Sequence, residues 1–422
     1  MNYRLLILSI LFYFNLQSQN KIFAKEIVKI LTSENYAGRG YVKNGHNKAA
    51  DYISEKFKEF GLNGFDSDYK QKFKIHVNTF GGNAKVTIDG RLINAGIDFI
   101  VNPSCPAVSG KFDLIWFDPK SIGNRKKMTK FNSRDFKNSF LVIDKTEITD
   151  SIQLAFVNGM MSNQFNAKGI VVVQNKKFTW GISQYQNSHP IIYIKQNLIS
   201  HTDKTIELDI NATLKKDEIT QNVLGYIRGT ETPDSFIVFS AHYDHIGMLG
   251  TNAIFPGAND NASGTSMIID LARHYSLPEN KPKFSILFIA FGAEEVGLLG
   301  SKFYVKNPYF PLKKIILQIN TDIMGTGDDG ITMVNAVKNH NVYETFQKIN
   351  NKKNYVKKIK RRGKAANSDH HPFDEKGVKA IFLYTMGGSK AYHDVHDTGE
   401  NLTLSKYNEV FQLITDFITE YR

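Results

Sequence analysis

From Gln221 onward the chain repeats one pattern: a short apolar run, a polar loop, then a stretch with helical spacing. The apolar runs are Phe236 to Ala241, Phe284 to Phe291, Ile315 to Ile319 and Ala380 to Tyr384. A run without polar alternation suits a strand covered on both faces, as strands are in a parallel sheet. Between the runs, Ala262 to Tyr275 and Val296 to Val305 space their apolar residues for helices. Strand and helix in turn predict an α/β fold, a mostly parallel sheet sandwiched by helices.

In open α/β sheets, ligands and catalytic groups gather just past the carboxyl ends of the strands. The first run leads into His242 and Asp244, the second into Glu294 and Glu295, the third into Asp322, and the loop after the fourth carries His393. All these side chains can bind a divalent metal, and all fall on one rim. Asp244, two residues beyond His242, points to the same side in an extended chain and suits the carboxylate that orients a ligating imidazole. Asp260 lies in the small-residue stretch Gly257 to Gly264 before a helix, either as its N-cap or as an ionised ligand. Glu294 and Glu295 are either first-turn helix residues or a pair that cannot both ionise without a cation. A metal would take one of them and leave the other as a base. The stretch Tyr392 to Thr398 offers two histidines, His393 and His396. Two histidines and three carboxylates, one of them bridging, give each of two zinc ions three protein bonds and leave room for a shared water.

The rest of the chain narrows the setting. Asn2 to Arg4 is a short basic start, Leu5 to Leu16 is nearly all apolar, and Gln17 to Asn20 turns polar. This predicts an export signal over residues 1–19, too short to span a bilayer, and a mature protein without stable membrane insertion in the periplasm or outside the cell. A single cysteine, Cys105, leaves no internal disulfide and no thiolate site, so any metal is held by His and carboxylate. The net charge of +12 is spread along the chain, and its one dense patch, Lys352 to Arg362, has no stacking aromatic beyond Tyr355. That patch reads as a solvated helix face, so nucleic acid is not expected as a partner. Lys21 to Leu31 and Lys48 to Phe60 have helical spacing, and between Gly81 and Lys215 the texture changes to short β-rich runs such as Leu114 to Phe117, Phe140 to Ile143, Gly169 to Val173 and Pro190 to Ile194. The expected organisation is therefore a catalytic domain over 20–81 and 216–422, interrupted by an inserted β-rich domain over 82–215.

Five motifs in order carry a family resemblance. They are Ala-His-Tyr-Asp at 241–244, Gly-Ala-Asn-Asp-Asn-Ala-Ser-Gly at 257–264, Phe-Gly-Ala-Glu-Glu-Val-Gly-Leu-Leu-Gly-Ser at 291–301, Asn-Thr-Asp-Ile-Met-Gly at 320–325 and His-Asp-Val-His-Asp-Thr at 393–398. Over most of Gln221 to Arg422 the chain resembles the co-catalytic two-zinc aminopeptidases of clan MH, of the exported bacterial type. Tyr36 to Leu62 resembles the family's N-terminal helical lead-in. The resemblance implies the zinc-aminopeptidase, phosphorylase/hydrolase-like fold, with a protease-associated-like module in the position of the insert. It also implies His242 and Asp322 on one zinc, Glu295 and His393 on the other, Asp260 bridging, Glu294 as general base and Asp244 as the carboxylate behind the ligands. Ser368, Asp369 and His370 look like the family's substrate-side loop. The chain departs from the pattern His-Thr-Pro-x-Asp-Thr, with Asp394 and Val395 replacing Thr and Pro, while Asp397 and Thr398 keep the register that favours His393 over His396.

The activity implied is hydrolysis of peptide substrates, with release of N-terminal residues. A dipeptidase or carboxypeptidase would use the same core. Glutaminyl cyclases work with a single zinc, which the full set of five ligand residues argues against, and a receptor-like protein without metals would not need every ligand position filled.

Overall fold

The computed structural model describes residues 20–146 and 148–421. The segment read as an export signal lies outside them. The central sheet has eight strands in the order Lys70–Thr79, Thr213–Ile227, Phe284–Phe291, Thr232–His242, Ile315–Thr321, Ala380–Met386, Gly330–Val334 and Ile359–Arg361. The four apolar runs form its middle, and each neighbouring pair among them is parallel. Antiparallel pairing is confined to the flanks: Thr213–Ile227 with both its neighbours, and Gly330–Val334 with Ala380–Met386. The pairing of Thr213–Ile227 with Lys70–Thr79 has a topological cause. The chain leaves the sheet through Lys70–Thr79 and returns through the adjacent Thr213–Ile227, so the outgoing and incoming strands must oppose.

Side-chain alternation on the middle strands divides the core into two layers. Ile237, Phe239 and Ala241 join a cluster with the helices at 20–31, Gly45–Glu59, Gly264–Ser276, His340–Lys353 and Tyr407–Glu420. Phe236 and Val238 face the other way, onto Tyr304 and Val305 of Leu299–Lys306 and Phe373 of His370–Glu375. Helices on both faces explain why these strands carry no polar alternation.

Residues 84–210 build a second eight-stranded sheet. It is itself α/β and not merely β-rich. Val108–Trp116, Ser139–Asp144, Gly169–Gln174 and Ile191–Lys195 run parallel in that order, with the helices Arg125–Asn132 and Ser151–Met160 on two of the crossovers. Arg125–Asn132 buries only Phe131, so no apolar stripe marks it in the sequence. One face of this sheet packs under the two helices. The other shares a core with Ile246, Leu249, Ala253 and Phe255, which lie in and beside the hairpin Gly247–Leu249 and Ala253–Phe255 of the first module.

Candidate metal centre

Register brings the strand ends to a common rim. His242 pairs with Phe291, and Ser240, two residues earlier, pairs with Asn320, so the exits of three parallel strands lie side by side. His242 ends its strand, with its carbonyl held by the Thr265 hydroxyl at 2.9 Å. Glu294 and Glu295 lie in the turn after Phe291, upstream of the helix that starts at Leu299, so they are not first-turn helix residues. Asp260 is not an N-cap either. It sits in an irregular turn, Ala258–Ser263, before helix Gly264–Ser276, and Asn261 performs the local capping by accepting the Gly264 amide at 2.8 Å.

Asp260 reaches in two directions. Its Oδ1 lies 3.2 Å from His242 Nε2 and its Oδ2 lies 3.1 Å from His393 Nε2. On the first side Asp322 Oδ1 is 3.4 Å from the same His242 nitrogen; on the second, Glu295 Oε2 is 3.1 Å from the same His393 nitrogen. The result is two half-sites, His242 with Asp322 and His393 with Glu295, sharing one carboxylate. Glu294 offers an oxygen within 4.8 Å of the ligand atoms of His242 and Asp322. His396, by contrast, is exposed, and its amide is hydrogen-bonded to Asp394 Oδ1.

Supporting hydrogen bonds fix these groups. His242 Nδ1 pairs with the backbone carbonyl of Asp244 at 3.1 Å, while the Asp244 carboxylate stands 3.9 Å off and accepts the Glu294 amide at 3.1 Å. Asp244 therefore braces the glutamate turn more directly than the imidazole. His245 has a role the sequence reading did not give it. Fully buried, it bonds Glu295 Oε1 through Nδ1 at 2.7 Å and joins the cluster of Asp260, Glu295 and His393. Its one sequence signal is its place three residues after His242. Asp397 accepts the amides of Asn259 and Asp260, which anchors the bridging turn.

Ser368, Asp369 and His370 do not line the open cavity beside the candidate ligands. All three are fully buried behind the ligands. Ser368 donates to Asp322 Oδ2 at 3.0 Å and accepts from Asn320 at 2.9 Å, so it orients a rim carboxylate from below. The open side is a cavity of about 190 Å³ lined by His242, Asp260, Glu294, Glu295, Asp322 and His393 together with Ile323, Arg362, Asn367, Phe382, Tyr384 and Tyr392. Phe382 and Tyr384 come from the strand Ala380–Met386 and the other four from loops around the rim. Arg362, in the dense basic patch, donates to the Tyr384 hydroxyl at 3.4 Å.

The electrostatics of this donor set suit cations. Burial alone would lower the pKa of His393, but Glu295 and Asp260 push it up to about 12, and His242 is raised likewise by Glu294, Asp322 and Asp260. Burial and the surrounding carboxylates push the Glu294 carboxyl well above its usual range, against the pull of His242. Its neighbour Glu295, despite burial, is drawn down to about 2 by His393 and the His245 hydrogen bond. Asp260 Oδ1 and Asp322 Oδ1 are buried without a satisfied hydrogen bond although His242 Nε2 is close by. Buried anions left unpaired are costly, and histidine nitrogens facing them at 3.1–3.4 Å form donor sets of the kind that hold zinc.

A parallel α/β sheet whose strand-end rim gathers histidines and carboxylates into two half-sites defines a class, the metallohydrolases. Residues 222–418 match the model of peptidase family M28. Aminopeptidase YwaD of Bacillus subtilis (strain 168) is 26% identical over 369 residues, which cover 83% of this chain and 76% of that protein. A glutamate carboxypeptidase 2 homolog of Caenorhabditis elegans is 33% identical over 152 residues, 35% of this chain but 18% of the relative. The solved structure of BSAP, a zinc aminopeptidase from Bacillus subtilis, shares the fold with a TM-score of 0.68 at 22% identity, over 94% of this chain and 93% of that one. The matched region takes in His242, Asp260, Glu294, Glu295, Asp322 and His393.

Proposed function

We propose that the protein is an exported zinc aminopeptidase that carries two zinc ions per chain and releases N-terminal residues from peptides. The observation that carries this reading is the shared carboxylate: Asp260 presents one oxygen to the His242–Asp322 pair and the other to the His393–Glu295 pair. His242 and Asp322 would hold one zinc, His393 and Glu295 the other, with Asp260 between them. Zinc held there supplies Lewis acidity, which lowers the pKa of water and withdraws electron density from a peptide carbonyl.

The chain's own groups do the rest. Glu294 projects into the cavity beside the ligands, free of the ligand role its neighbour takes, and its environment raises its proton affinity while that of Glu295 is lowered. Adjacent carboxyls pushed apart in this way divide into a base and an anionic ligand. Glu294 takes the proton from the attacking water and delivers it to the departing amine. Asp244 holds the Glu294 amide, and so the base, in place.

Aminopeptidase direction is supported by the relative that aligns over most of this chain. A second reading, dipeptidase or carboxypeptidase, draws on Arg362 at the cavity wall, a cation able to pair with a peptide carboxylate. Aminoacyl amides, N-blocked peptides and dipeptides, assayed with and without chelator, separate the two. The proposal expects chelator-sensitive cleavage of aminoacyl amides; cleavage confined to N-blocked peptides would refute it. Export is supported by the basic and apolar start at Asn2 to Leu16. Among the described residues no helix is long and apolar enough to cross a membrane.

A further inference from the structure

His393 depends on the inserted module. Its backbone sits at φ 52°, in the left-handed region that residues with a side chain adopt uncommonly. It is bonded to a strap of the insert that follows Gly169–Gln174. The Trp180 amide donates to the His393 carbonyl at 3.0 Å, and His393 Nδ1 donates in return to the Trp180 carbonyl at 2.8 Å. That second bond occupies Nδ1 and leaves Nε2, which faces Asp260 and Glu295, as the nitrogen that would hold a metal.

Side chains reinforce the strap. Lys177 reaches across to three points of the ligand loop: the Lys390 carbonyl at 2.6 Å, the Tyr392 carbonyl at 3.3 Å and Asp394 Oδ2 at 2.5 Å. Trp180 is itself pinned, with its ring nitrogen on the Val101 carbonyl at 2.9 Å and its ring against Phe80 and Phe255. Val395 packs into the insert's core, close over Gly96. Asp394 and Val395, the two positions that depart from the Thr-Pro of the resembling family, thus both dock on the insert.

We propose that strap 177–180 of the inserted module is a positioning element for His393, and that Lys177 sets the zinc affinity of the His393–Glu295 half-site through the loop it clamps. This rests on the two-zinc reading above. The insert then acts as part of the metal centre, and the strap does for the ligand loop what a stiffer loop sequence would do alone.

The test titrates zinc against a chelator in the full-length protein and its Lys177→Met and Lys177→Arg variants. Wild-type stoichiometry comes first: a protein with no zinc at this centre fails the metal reading itself, before any variant is compared. Given two zincs, Lys177→Met is expected to weaken one of them by about tenfold, the scale of outer-shell effects on metal sites. The other zinc and the urea midpoint of the zinc-free protein should not move, and Lys177→Arg should retain wild-type affinity. Unchanged affinity in Lys177→Met overturns the proposal. So does equal weakening of both zincs, or a loss matched by a lower midpoint of the zinc-free protein.

Discussion

At the scale of single residues, the candidate ligands stand where strand exits and chemistry coincide, which is why they can be proposed from the chain alone. His242, Glu294, Glu295 and Asp322 each come within four residues of the end of an apolar run. His245, Arg362, Asn367 and Tyr392 have no such signature, because loop conformation alone turns them toward the cavity or the candidate ligands. Arg39 is equally silent in sequence. Fully buried, it donates to the carbonyls of Tyr243, Leu31, Pro256 and Gly257 at 2.6–3.1 Å, which ties the N-terminal lead-in to the turn that bears Asp260. Burial lowers its pKa to about 10, so it stays charged at neutral pH. Arg39→Met would strand those carbonyls without donors, and we expect a loss of about 3 kcal/mol or more in urea unfolding. A loss under about 0.5 kcal/mol, the level of an ordinary surface change, would contradict this.

Elements differ in how openly they declare themselves. The parallel strands were legible from unbroken apolar runs, and helix Gly264–Ser276 from its periodicity. The irregular turn before that helix was not, since Asn261 takes the capping role that composition suggested for Asp260. The two helices of the insert escaped for lack of an apolar stripe or through shortness. Helix Gly264–Ser276 also carries a pH-sensitive group. His274 lies edge-on to Tyr275 and Phe411, and burial, aided by the Arg273 charge, lowers its pKa from 6.5 to about 4. A histidine kept neutral when folded contributes stability that is complete above the unfolded pKa and is lost as pH falls through the folded one. Between pH 6.5 and 4 this amounts to on the order of 2–3 kcal/mol. Urea midpoints of His274→Phe should therefore fall less than those of wild type across that window; parallel curves for the two proteins would remove His274 from the account.

Over the whole molecule, the α/β class and the two-module organisation follow from local texture, whereas the docking of the modules does not. The contacts between strap 177–180 and loop 390–395 join segments more than 200 residues apart and leave no local trace. The shared core beneath hairpin Gly247–Leu249 and Ala253–Phe255 is of the same kind. What the fold accomplishes is to bring several strand exits, one helix-preceding turn and one clamped loop to a single rim, so that histidines and carboxylates scattered from 242 to 393 meet within hydrogen-bonding distance. The central claim is the division of labour on that rim, with Glu294 as base and its neighbours as ligands. Turnover of an aminoacyl amide by Glu294→Gln, with zinc counted on the same sample, tests it most directly. The account predicts a fall of about 10²–10⁴-fold or more with zinc still near two per chain; full activity in that variant would contradict it.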